Sequence, residues 1–194
     1  MSGPKVGGSK EKSAFLDRKL AWRFRTYDHD GDGYIERADF QLAADRTGEE
    51  FGHSRESAAR QRLTALLLGL WQHLATVADA DHDGRISEAE YKAAFAAGLL
   101  ETPESFDENY LPFLDALMEV VDADRDGRMS ADEYVRWGRS LMGRPESESR
   151  ANHRRIDTDW DGYITRQELL ESIREFYFDD DPGSPLARLL GLDS

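Results

Sequence analysis

Apolar residues recur along this chain in short stretches at three- and four-residue steps, the spacing of one helix face. Phe15, Leu16, Leu20, Trp22, Phe24 and Tyr27 make the first stretch, and Phe40, Leu42 and Ala43 the second. Leu63 to Val77 is apolar on most of its surface, so the pattern places it as a helix in the centre of the molecule. Tyr91, Phe95 and Leu99 follow at i, i+4, i+8, and then Phe113, Leu114, Leu117, Val120 and Val121, with Pro112 tolerable near a helix start or as a kink. Tyr134, Trp137 and Leu141, then Leu169, Leu170, Ile173, Phe176 and Tyr177, complete the series. These seven stretches, with a helix expected on either side of each of four repeated loops, predict an all-α fold of eight helices without a substantial sheet. Trp22, Trp71 and Trp137 are expected in its core.

Between these stretches the chain repeats itself four times: DHDGDGYIERAD (28–39), DADHDGRISEAE (79–90), DADRDGRMSADE (122–133) and DTDWDGYITRQE (157–168). Each copy opens D-x-D-x-D-G, carries Ile or Met at its eighth position and ends on a carboxylate at its twelfth. The motif is that of the EF-hand calcium loop, which the last three copies match in full; the first has Asp39 where the motif has Glu. A hard cation such as Ca²⁺ takes six to eight oxygens, and this spacing supplies them. Positions one, three and five offer Asp28, Asp30, Asp32; Asp79, Asp81, Asp83; Asp122, Asp124, Asp126; and Asp157, Asp159, Asp161. The glycine at position six permits a sharp turn, after which the backbone carbonyl of Tyr34, Arg85, Arg128 or Tyr163 can face the ion. The last ligands are Asp39, Glu90, Glu133 and Glu168.

The same residues start a helix. Ser87 with Glu90, Ser130 with Glu133 and Thr165 with Glu168 are S/T-x-x-E capping boxes, so each Glu sits in the first turn of an exiting helix. The eighth positions suit short β-bridges within two pairs of loops, Ile35 facing Ile86 and Met129 facing Ile164. Asp39 is one methylene shorter than Glu and less able to chelate with both oxygens. Site one is therefore expected to bind Ca²⁺ more weakly or to accept Mg²⁺, although Glu36 at the ninth position is long enough to restore an oxygen.

Charge changes the picture in one respect. The 194 residues hold 39 acids against 25 Lys and Arg, a net charge of −14, which disfavours nucleic acid and anionic membranes as partners. Sixteen of those acids are loop ligands, and without them the chain is slightly basic; four Ca²⁺ ions would bring −14 to −6. Cysteine is absent, which excludes disulfides and thiol chemistry and suits a reducing cytoplasm. No apolar run approaches the ~20 residues of a membrane span. Neither a signal peptide nor a myristoylation pattern is visible at the start. The histidines form no H-E-x-x-H or other catalytic grouping, so no enzyme is expected. His29 and His82 are expected in solvent, and His53, His73 and His153 at the surface or in the core. Trp160, at the fourth position of loop four, is a fluorescence reporter of that loop.

Residues 1–12 read as a disordered tail, 13–101 as the first EF-hand pair, 102–178 as the second, and 179–194 as a C-terminal tail whose LLGL run covers a groove of its own protein or of a partner. The first pair carries a long connection from Thr47 to Arg60, while the central GLLETPESFDEN is short, which favours two pairs packed into one compact domain over two tethered lobes. From about residue 13 onwards the chain resembles the bacterial calerythrin-like proteins, relatives of the sarcoplasmic calcium-binding proteins. The resemblance rests on DGDGYIERADF, the long gap between the first two loops, and IREFYF before a short tail. It implies a compact fold of two EF-hand pairs and a role in calcium buffering, transport or signalling. The second loop is commonly degenerate in that family; here Asp79 to Glu90 is intact, which gives up to four Ca²⁺ sites. The leading expectation is a monomeric cytoplasmic Ca²⁺ buffer or transporter with Mg²⁺ exchange. The alternative is a calcium sensor that exposes an apolar groove to a protein partner, a role served by Met-rich surfaces; only Met1, Met118, Met129 and Met142 are present.

Overall fold

The computed structural model describes residues 7–98, 106–179 and 181. Among them are eight helices, two for each loop: α1 (Gly7–Tyr27) and α2 (Arg37–Glu50), α3 (Ala58–Ala78) and α4 (Glu88–Ala96), α5 (Phe106–Val121) and α6 (Ala131–Met142), α7 (Glu146–Ile156) and α8 (Arg166–Phe178). Two-residue strands β1 (Tyr34–Ile35), β2 (Ile86–Ser87), β3 (Met129–Ser130) and β4 (Tyr163–Ile164) join the loops in pairs. β1 pairs antiparallel with β2 and β3 with β4, with Ile35 opposite Ile86 and Met129 opposite Ile164, the register expected from the eighth positions. All four side chains are fully buried, so each bridge is also the apolar floor beneath its two loops.

The exiting helices start where their capping boxes place them. The Ser87, Ser130 and Thr165 side chains each accept from the N–H three residues on, and the Glu at that position accepts the capping residue's own N–H. Pro112 lies inside α5, and α6 closes on Gly143 in the left-handed conformation. α1 extends back to Gly7, into the segment read as a tail. The connection read from Thr47 to Arg60 is shorter than expected, because α2 runs on to Glu50 and α3 begins at Ala58. Arg60 makes this corner. It is 4% exposed, and its guanidinium donates to Asp45 Oδ1 (2.5 Å) and the His53 carbonyl (3.0 Å). A Cβ on Gly48 would lie 2.5 Å from Arg60 Cδ, so glycine is required for this close approach.

α3 is central, as its composition implied: Leu63, Leu67, Trp71, Leu74 and Ala78 are buried along it, and it packs against α2, α4 and α5. One continuous apolar core runs through both pairs, from Phe24, Phe40 and Tyr91 to Leu117, Tyr134 and Leu169. Polar contacts pin the pairs together at its edges. Glu50 receives Arg136 (3.2 Å) and Arg139 (2.7 Å), His53 Nε2 lies 3.2 Å from the Val120 carbonyl, and the Tyr27 and Tyr177 hydroxyls are 2.8 Å apart. Trp71 and Trp137 are buried, but Trp22 is only half-buried, packed on Phe176. Leu99, most of the central GLLETPESFDEN segment and the LLGL run lie outside the described residues.

Candidate metal centre

The four loops share one hydrogen-bond plan. The N–H of the sixth-position glycine donates to the first aspartate: Gly33 to Asp28 (3.0 Å), Gly84 to Asp79 (3.1 Å), Gly127 to Asp122 (2.8 Å) and Gly162 to Asp157 (3.0 Å). The third-position aspartate accepts the N–H of the fifth residue, and the fifth accepts that of the seventh. Each of these turns ties one carboxylate oxygen to backbone. The glycines carry φ between 83° and 91°. At the fourth position the chain is left-handed as well, at His82 (60°), Arg125 (62°) and Trp160 (63°), whereas loop one has Gly31 there. Left-handed backbone is costly for non-glycine residues, and in loop four it turns Trp160 out into solvent, 76% exposed.

The twelfth-position carboxylate closes each loop. Glu168 accepts from the Thr158 N–H (2.8 Å) with one oxygen and from the Thr165 N–H (2.9 Å) with the other. Glu90 and Glu133 repeat this with Ala80 and Ser87, and with Ala123 and Ser130. Burial alone would raise the pKa of Glu168, but the donors on Thr165 and Thr158 outweigh it and bring it down to about 2. The Ser87 hydroxyl and N–H likewise lower that of Glu90. Asp39 reaches the same two kinds of donor, His29 N–H (2.9 Å) and Glu36 N–H (2.7 Å), but is drawn in to 2% exposure, and burial pushes its pKa up.

Carboxylate oxygens gather within 4.8 Å of one another in all four loops, and the first loop differs from the rest. The groups are Asp79, Asp81, Glu90; Asp122, Asp124, Glu133; and Asp157, Asp159, Glu168; in loop one they are Asp28, Asp30 and Asp32, without Asp39. The shorter side chain spends its reach on its backbone donors. An all-oxygen, acid-rich donor set fits a hard divalent cation. Asp79 Oδ1, buried without a hydrogen-bond partner, is an acceptor that such an ion would satisfy.

The fifth-position aspartates of loops two to four stand outside these groups, engaged by arginines that motif reasoning treated only as carbonyl donors. Arg85 lies 3.4 Å from Asp83, and Arg128 lies 3.2 Å from both Asp126 and Asp161. Glu36, expected to restore an oxygen to site one, has Oε1 3.8 Å from Arg85. His29 is not in solvent as expected: its ring is half-buried against the Leu141 carbonyl, and burial lowers its pKa to about 4. Loop one therefore touches the end of α6 in the other pair. Only a long-range contact reveals this, and the local sequence carries no signal for it.

Comparison with known proteins agrees with this geometry. The family profile described as an EF-hand domain pair matches residues 17–96, and the profile described as EF hand matches 114–136 and 154–173. Calerythrin of Saccharopolyspora erythraea is 31% identical over 167 residues, covering 86% of this chain and 94% of its own. A Streptomyces coelicolor calcium-binding protein, solved as a structural basis for prokaryotic calcium-mediated regulation, superposes with a TM-score of 0.75 at 35% identity, over 83% of this chain and 96% of that one. The sarcoplasmic calcium-binding protein of amphioxus shares the fold, with a TM-score of 0.68 at 18% identity over 93% and 97% of the two chains. This chain belongs to the calerythrin family of EF-hand calcium-binding proteins.

Proposed function

We propose that this chain is a cytoplasmic, monomeric Ca²⁺ buffer that acts by binding alone, with three similar sites in loops two to four and a first site that exchanges Ca²⁺ for Mg²⁺. The observation that carries the reading is where the apolar faces go. A sensor keeps a groove for a partner helix. Here the inner faces of both pairs meet in one shared core, and among the described residues the exposed large hydrophobic is Trp160, inside a loop. The distinct character of site one is supported by Asp39, which is buried and absent from the cluster its counterparts join. Residues 13–101 and 102–178 act as the two pairs.

A second reading, a sensor that regulates a protein partner, is favoured by the Streptomyces coelicolor protein, at 35% identity, with its link to calcium-mediated regulation. Calorimetric Ca²⁺ titration with and without millimolar Mg²⁺, together with retention on a phenyl resin, separates the two. Sites weakened by Mg²⁺ with no calcium-dependent retention are the result expected of a buffer. Cooperative sites indifferent to Mg²⁺, with retention that appears only in Ca²⁺, would replace the buffer by the sensor.

A further inference from the structure

Between the two pairs, touched by His29 of loop one but by no loop ligand, lies a cavity of about 650 Å³. Protein interiors seldom keep voids larger than a water molecule, whereas small-molecule sites run from roughly 300 to 1,000 Å³. Every helix except α4 contributes described residues to its wall. Much of that wall is aromatic, with Trp22, Phe113, Trp137 and Phe176 around an aliphatic patch from α3.

The polar part of the wall has one sign. Acids make up 39 of the 194 residues, so a wall of ordinary composition in this chain would hold several. Among the described wall residues there is no Asp or Glu, while Arg23, Arg144 and Arg155 are present. Arg155 donates to Ser172 Oγ (3.0 Å) and pairs with Glu175 (3.2 Å), which leaves its Nε buried with no acceptor. A buried cationic N–H without an acceptor is costly and favours an incoming anion. Flat aromatic bodies suit walls of Trp and Phe.

We propose that this cavity binds a small planar aromatic molecule carrying one anionic group, its rings among the aromatic side chains and its anion on the Arg155 side. The site is independent of the buffer reading, since no loop ligand lines it. It gives a calcium-binding chain a second class of ligand.

Two probes that share a scaffold and differ in charge test this on the full-length, Ca²⁺-loaded protein: 8-anilinonaphthalene-1-sulfonate and its uncharged parent N-phenyl-1-naphthylamine. Fluorescence and calorimetric titrations are expected to give saturable one-to-one binding of the sulfonate, with the neutral amine at least tenfold weaker. Arg155→Gln should weaken the sulfonate fivefold or more and leave the amine unchanged. Leu70→Trp, which sets a larger side chain in the cavity wall, should weaken both at least fivefold while the circular dichroism and Ca²⁺ stoichiometry stay those of the parent. Equal affinity for the two probes, sulfonate binding indifferent to Arg155→Gln, or binding of both probes unchanged by Leu70→Trp would overturn the proposal.

Discussion

Replacing Glu133 by Gln tests whether the twelfth-position carboxylate is a helix cap in its own right as well as a metal ligand. Glu133 is 6% exposed and accepts three hydrogen bonds, from the Ala123 N–H (2.7 Å), the Ser130 N–H (2.8 Å) and the Ser130 hydroxyl (2.8 Å). The amide keeps the shape, but one end becomes a donor. Turned toward Ser130 that end would face two donors; turned toward Ala123 it faces one, so the second orientation wins and the Ala123 N–H is left unsatisfied. An unsatisfied buried donor costs about 1–3 kcal/mol, and each surviving bond drops from charge-assisted to neutral strength, roughly 1 kcal/mol apiece. The lost charge at the start of α6 adds a few tenths. These contributions overlap, and about 2–4 kcal/mol is the expected net. For a chain of this size ~1 kcal/mol moves Tm by about 2–4 °C, so thermal unfolding in chelator should show a fall of roughly 4–16 °C. In Ca²⁺, site three should weaken, and site four with it through the Met129–Ile164 bridge. A chelator Tm equal to the parent's, alongside a weakened site three, would refute the capping argument: the carboxylate would then meet its donors only when metal is bound.

Asp39→Glu should strengthen Ca²⁺ binding at site one and sharpen its preference over Mg²⁺, because the added methylene lets the carboxylate reach past its backbone donors on His29, Asp30 and Glu36; competition calorimetry giving unchanged constants for both ions would contradict it. Asp45 is held below the usual carboxylate range by its hydrogen bond to Arg60, so the pair stabilises the fold above the ordinary aspartate pKa and loses that contribution as pH falls through the lowered value. Asp45→Asn should therefore cost about 1–3 kcal/mol at pH 7 and flatten the acid limb of the stability curve, read by urea unfolding from pH 7 to pH 3. A Cβ on Gly138 would sit 2.8 Å from Ser149 Oγ, a buried hydroxyl with no hydrogen-bond partner. Gly138→Ala should then destabilise by about 1–3 kcal/mol, Ser149→Ala should be neutral or stabilising, and the double variant should recover most of the loss. Additive effects in that cycle would rule out the α6–α7 contact as the cause.

What could be read in the sequence was local. Four loops and three capping boxes rest on residues within twelve positions of each other, so spacing alone fixes them, and the β-bridges follow once the eighth positions of those loops are paired. α7 shows the opposite case. Its sequence, ESESRANHRRI, has almost no apolar pattern, yet Ser149, Asn152, His153 and Ile156 are buried at i, i+3, i+4 and i+7. This is a helical stripe made of small and polar side chains, which a search for apolar periodicity passes over. The burial of His29, the capture of the fifth-position aspartates by arginines and the cavity between the pairs all depend on elements far apart in the chain. In the candidate site, the ligand types were therefore legible, and their grouping only in part: motif logic treats Asp39 as a shortened Glu, whereas its displacement from the cluster follows from which backbone donors it satisfies first.

The seventh positions carry the argument one step further. Each pair holds one Tyr and one Arg there, and the Arg of one loop lies over the Tyr of the other: Arg85 over Tyr34 at 4.4 Å from the ring centroid, Arg128 over Tyr163 at 3.8 Å. The ring fixes where the guanidinium sits, and from that place Arg128 reaches an aspartate in each loop of its pair. One positive charge is thus shared by two acidic loops that carry four ligand carboxylates apiece, which eases their mutual repulsion. A dication arriving in either loop must draw Asp126 or Asp161 away from that shared arginine, and the arginine is then free for the carboxylate that remains. The two loops of a pair are therefore linked by charge as well as by the β-bridge, and a Ca²⁺ titration of this chain has two coupled pairs as its natural description, not four independent sites.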